Sequence, residues 1–156
     1  MQRLHTAVAE SFAAGHGLAF ETFKRIAEWK LRQQFGRTKK RREKATPELV
    51  ALLSKCCWNV SHEDRNIKAL IRLHTLTGLP GVGVGLASAI LALTWPQEYG
   101  IVDFRVWKVL YGVKKQTSTE TDWLRYMDDV WNLSVDTGKA PQTIDYLLWK
   151  AYELSD

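Results

Sequence analysis

The sequence predicts an all-α fold, a compact multi-helix domain spanning residues 1–156. Three observations carry this: apolar residues recur at three- and four-residue spacing, alternation with a period of two is almost absent, and cap-like residues separate the periodic runs. Leu4, Val8 and Phe12 mark a first helix, ended by Gly15 and Gly17. Phe20, Phe23, Ile26, Ala27 and Leu31 mark a second, stopped near Gly36. Thr46-Pro47 sets a capping hydroxyl before an N1 proline and opens a third through Val50, Leu53 and Cys57. Ser61 followed by Asp64 starts the next, with Ile67, Leu70, Ile71 and His74. Leu86, Ala89, Ile90 and Leu93 place a helix over Val84 to Thr94, and Phe104, Val106, Trp107 and Leu110 form another. The segment Ser118 to Asp122 starts a helix through Trp123, Met127 and Trp131. Ala140-Pro141 opens the last, with Ile144, Leu147, Leu148 and Ala151 on its inner face.

Length and composition bound the function. A chain of 156 residues with 46% hydrophobic composition and seven tryptophans can bury one core without staples. Lys and Arg number 22 against 17 Asp and Glu, a net charge of +5, which gives mild attraction to a polyanion. Cys56 and Cys57 are adjacent, a spacing that suits neither a bridge between them nor a four-cysteine metal or iron-sulfur cluster. A reducing, cytoplasmic location is expected. No apolar run reaches the roughly 20 residues of a membrane span, and Met1 to His16 lacks the apolar centre of a signal peptide. The chain is expected to be soluble, not secreted, and monomeric.

Two segments point to a polyanion. In Leu76 to Leu91, two short runs of glycine and proline interrupt an otherwise helical pattern. Gly78 reads as the left-handed stop of one helix, and Pro80 blocks its continuation. A second helix then begins near Val84, so glycine-flanked N–H groups and the positive end of a helix dipole converge, with no Cβ to hold a phosphate away. Such a site grips backbone and reads no sequence. The second segment, Arg37 to Lys44, carries six of the 22 basic residues and reads as a basic loop that can follow a phosphate backbone. A solvated linker is its alternative reading. Trp29, Trp58, Trp123, Trp131 and Trp149 fall at helical positions that favour core packing over base stacking.

Asp103 follows Ile101-Val102 and precedes an apolar helical pattern, which places it as an N-cap. Capping needs no chemistry, yet cap amides and the helix dipole favour an ionised carboxylate. A fixed negative charge in a partly dry pocket can stabilise an oxocarbenium-like sugar and orient water, as cleavage of an N-glycosidic bond requires.

Leu79-Pro80-Gly81-Val82-Gly83 and Ile101-Val102-Asp103-Phe104-Arg105-Val106-Trp107, at this separation, resemble the helix-hairpin-helix DNA glycosylase superfamily. That superfamily includes endonuclease III and the adenine-mismatch and 8-oxoguanine glycosylases. Close similarity covers 32 residues, Leu79 to Leu110; the flanking helices agree in kind. The resemblance implies a helix-hairpin-helix motif over 65–94 and Asp103 as the catalytic carboxylate. It implies that N–H groups around Gly81, Gly83, Val84 and Gly85 face a DNA phosphate; Lys39, Lys40, Arg41 and Arg42 of the basic stretch are further DNA-binding candidates on charge alone. It further implies that carbonyls of Thr77, Leu79 and Val82 hold a structural monovalent cation, sodium or potassium, bridging to that phosphate; the chemistry itself requires no cofactor. Trp107 and Arg105 are candidates for the pocket wall.

Bifunctional members carry a lysine two residues beyond the second hairpin glycine, where it attacks the sugar; this chain has Gly85 there. The expectation is therefore a monofunctional glycosylase of base excision repair, acting on double-stranded DNA with a damaged, mismatched or modified base. The alternatives are a non-catalytic helix-hairpin-helix DNA-binding module, in which Asp103 only caps, and a purely structural or protein-interaction role.

Overall fold

The computed structural model describes residues 2–155; Met1 and Asp156, the ends of the expected 1–156 domain, lie outside them. The described residues are all-α. In chain order the helices are α1 (Gln2–Ala13), α2 (Phe20–Leu31), α3 (Lys39–Arg42), α4 (Pro47–Trp58), α5 (Arg65–Thr77), α6 (Val84–Thr94), α7 (Phe104–Tyr111), α8 (Glu120–Thr137) and α9 (Pro141–Ser155). A single 3-10 turn, Arg32–Gln34, follows α2. None of the described helices is long and apolar enough to cross a membrane.

The caps explain most boundaries. Thr46 accepts from the Leu49 amide with Pro47 at the first helical position, so α4 starts where its hydroxyl can serve. Asp64, not Ser61, caps α5 by accepting from the Ile67 amide. Thr119 and Asp122 form a reciprocal capping box at α8, and Gly138 ends that helix at φ +66.

Helix α6 is the axis of the fold. Leu86 through Leu93 are all buried, and the helix packs against α1, α2, α5 and α8. A helix apolar on every side has no solvent face to offer, so neighbours must surround it. Each large side chain among Leu86, Ile90, Leu91 and Leu93 contributes about 1.5–3 kcal/mol by leaving water. The small residues Ala87, Ser88, Ala89 and Ala92, all fully buried, let the surrounding helices approach closely.

Three local expectations are corrected. Gly78 has φ −65 and ψ −18, an ordinary helical conformation; the left-handed residue of this turn is Gly81, at φ +75. A Cβ at Gly81 would lie 2.6 Å from Arg42 Cγ and 2.7 Å from the Arg42 amide nitrogen, so glycine is required there by packing as well as by backbone angle. The 37–44 segment is not simply a loop, because α3 forms one turn within it, seated against Gly81. Finally, α9 is rotated from the predicted face: Ile144, Asp145 and Tyr152 point inward, whereas Leu147 and Ala151 are exposed.

Candidate active site

The segment 99–103 runs from α6 to α7 beneath the first turn of α6. Tyr99 is fully buried and Ile101 and Val102 nearly so, which fixes the strand-like approach to Asp103 at φ −147, ψ 174. Asp103 then caps α7: Oδ1 accepts from the Arg105 amide at 2.8 Å and from the Val106 amide at 3.2 Å. Its Oδ2 lies 3.5 Å from the Arg105 guanidinium, and the side chain keeps 23% exposure. One oxygen is thus held by the helix while the other faces outward with Arg105.

That outward side opens into a pocket of about 230 Å³, lined by Trp29, Lys30, Asp103, Arg105, Asp145 and Trp149 among others. The aromatic rim comes from α2 and α9; Trp149 stacks with Tyr146 at 6.4 Å between centroids. Arg105 lies over the Phe104 ring at 4.5 Å, which holds its guanidinium at the wall. Arg105, a candidate for the pocket wall, lines this pocket. Trp107 does not: it is 4% exposed and packs against Tyr111 with Lys115 over its ring, because its position on α7 points to the core side. Trp29 and Trp149, partly buried, pack against the core as expected and also line the pocket.

Two residues that sequence reasoning missed complete the site. Asp145 is 7% exposed, and Oδ1 accepts from the Tyr126 hydroxyl at 2.6 Å. Burial pushes its carboxyl up to about 7, against the opposing pull of the Tyr126 hydrogen bond and the Lys30 charge. Tyr126 in turn is pushed above its ordinary range by burial and by Asp145. Gly100 makes this pair possible, because a Cβ there would stand 2.8 Å from the Tyr126 hydroxyl. Lys30, on α2, donates from Nζ to the Val102 carbonyl at 3.2 Å, and burial lowers its pKa although Asp103 and Asp145 both act to raise it.

The predicted backbone-binding residues separate into two groups. Gly83 is exposed, caps α6 with no side-chain partner and leaves open space where a Cβ would be, so the helix start at Val84 is unblocked there, whereas Gly85 backs onto the Lys30 stem and the Val102 carbonyl. Lys39, Lys40 and Arg41 are exposed on α3, which the Gly81 contact seats beside this turn. Arg42 differs from its expectation. The residue as a whole is 7% exposed, and its guanidinium donates to the Phe35 carbonyl and the Thr38 hydroxyl and lies over the Phe35 ring, so it holds the segment together from inside. Gly81 likewise faces α3 and not the open side.

For a cation, the turn offers the carbonyls of Thr77, Leu79 and Val82; that of Leu79 already accepts from the Val82 amide at 3.1 Å and retains one lone pair. Among the described residues no three His, Cys, Asp or Glu side chains converge as metal ligands. Comparison with family models, curated proteins and solved structures finds no match to this chain.

Proposed function

We propose that the chain is a DNA N-glycosylase of the helix-hairpin-helix kind, acting on a damaged, mismatched or modified base in duplex DNA. One observation carries the reading: a helix-capping carboxylate, Asp103, faces an aromatic-rimmed pocket beside an uncapped, glycine-flanked helix start. The first-turn amides of α6 with Lys39, Lys40 and Arg41 grip the phosphate backbone through charge and N–H donors. A structural sodium or potassium ion on the turn carbonyls would add to that grip.

A base in a duplex is out of reach of such a site, so the nucleotide must flip outward. Trp29 and Trp149 supply stacking faces for the extruded base, and 230 Å³ is below the about 300–1,000 Å³ of pockets for larger ligands, which suits one planar ring system. As the N-glycosidic bond breaks, positive charge develops on the sugar and the free Asp103 oxygen stabilises it. Asp145, its carboxyl pushed up to about 7 by burial, carries a proton in a substantial fraction of molecules at neutral pH and can deliver it to the departing base.

The test is base release from duplexes carrying a panel of lesions, mismatches and modified bases, read as strand breaks after alkali. The wild type is expected to release at least one base, and Asp103→Asn to lower that rate by about 10²–10³-fold with DNA affinity kept. Salt-sensitive DNA binding with no release from any substrate would leave a non-catalytic binding module. With Gly85 where bifunctional members carry a lysine, base release is expected to proceed by attack of water, as in a monofunctional glycosylase.

A further inference from the structure

Gly85 leaves a gap in the first turn of α6, and a side chain from another helix fills it. A Cβ at residue 85 would lie 3.9 Å from Lys30 Cε and 3.8 Å from the Val102 carbonyl oxygen. Lys30 Nζ donates to that same oxygen, so its amine ends beside the residue that precedes Asp103 and lines the same pocket. The competing role for Lys30 is a cation neutralising two carboxylates. The partners argue against it: Asp103 directs its oxygens to the α7 amides and Arg105, Asp145 accepts from Tyr126, and Lys30 bonds a peptide carbonyl. The charged groups acting on the amine are Asp103 and Asp145, which favour the ammonium, and Arg105 and Arg32, which disfavour it; burial outweighs them and enlarges the neutral fraction. A neutral amine in a half-closed pocket is a carbonyl nucleophile.

We propose that Lys30 forms an imine with C1′ of an abasic deoxyribose seated in this pocket, giving the chain a strand-cleaving activity beyond base release. The inference rests on the pocket being a nucleotide site, as proposed above. The neutral Nζ adds to the aldehyde carbon of the ring-opened sugar, and the carbinolamine loses water to give a protonated imine. C2′ gives its proton to water, and the C3′–O bond breaks with its electron pair leaving on the 3′ phosphate. Water then hydrolyses the conjugated imine, releasing the unsaturated aldehyde at the strand end and restoring the amine. No oxidant or reductant is needed.

The full chain, incubated with borohydride and a duplex carrying a ready-made abasic site, tests this independently of base recognition. A covalent protein–DNA adduct is expected, with the reduced sugar on Lys30 by peptide mass mapping of the wild type. Lys30→Met is expected to lose the adduct, and Lys30→Met combined with Gly85→Lys to recover it, because residue 85 points at the space the Lys30 stem occupied. An adduct mapped to another amine, or no adduct on the abasic duplex, overturns the inference. Base release without a Lys30 adduct would overturn it while leaving the glycosylase reading intact. A Lys30 adduct with no base released from any lesion would instead overturn base excision and keep the imine.

Discussion

The molecule holds two clusters in which a basic side chain meets carboxylates and aromatic rings, and they differ in how they are closed. In the first, Arg72 is 6% exposed, donates to Glu98 and the Tyr99 hydroxyl at 3.1 Å each and to the Val60 carbonyl at 3.3 Å, and stacks on Trp95 at 3.7 Å. Lys68 reaches the same Glu98 oxygen at 3.0 Å, so two cations hold one carboxylate oxygen, while the buried Arg72 Nε has no partner of its own. In the second, around Asp103, Lys30 and Asp145, the basic group bonds only a carbonyl of the main chain among the bonds described, a carboxyl is pushed up to about 7, and the cluster opens on a pocket. A closed cluster ties α5 to the segment after α6. An open one keeps ionisable groups with shifted pKa values beside space for a ligand, the arrangement that functional sites favour.

Five predictions sharpen this contrast. The largest concerns Arg72→Met, which leaves Glu98 with Lys68 as its remaining cation and takes the donor from the Tyr99 hydroxyl and the Val60 carbonyl; a loss of about 2–3 kcal/mol is expected in denaturant unfolding. The second concerns pH. Because the folded-state pKa of Asp145 is raised to about 7, the native chain binds more protons than the unfolded one between about 4 and 7. Its contribution is therefore fully present below about 4 and is lost as pH rises through about 7. A loss on the order of a few kcal/mol across that window is expected in wild type, and Asp145→Asn should flatten it; equal slopes would remove Asp145 as the cause. Third, Gly81→Ala should cost more than about 1 kcal/mol, since φ +75 is unfavourable and the methyl meets the Arg42 backbone. The smallest is Lys40→Ala, which should weaken DNA binding and lower its salt slope by about one, read by titration at several ionic strengths. Arg42→Lys, by contrast, should change stability more than the salt slope, since the guanidinium bridges Phe35 and Thr38.

The helices were largely legible because caps and apolar period act locally: Val84–Thr94 and the Asp103 cap stand where the sequence predicts. The site was legible only in part. Asp103 announces itself through Ile-Val before it and an apolar helix after it, but Lys30 looks like any solvent-facing lysine of α2. Asp145 was hidden for a related reason. The apolar pattern Ile144, Leu147, Leu148, Ala151 suggests one inner face, while the Tyr126 hydroxyl and the bare Gly100 accept a carboxyl on another. Such polar pairings are set by partners far along the chain, which local periodicity does not encode. The nearness of α3 to the turn is also a long-range contact, visible only once Arg42 lies on Gly81.

The central claim is that the open cluster performs chemistry and the closed one holds the fold. The most direct measurement is base release and melting temperature on the same samples of Asp103→Asn and Arg72→Met. The account predicts that Asp103→Asn loses release while melting close to wild type, and that Arg72→Met melts much lower yet releases base at an undiminished rate per folded molecule. Release retained in Asp103→Asn on every substrate the wild type attacks would contradict it.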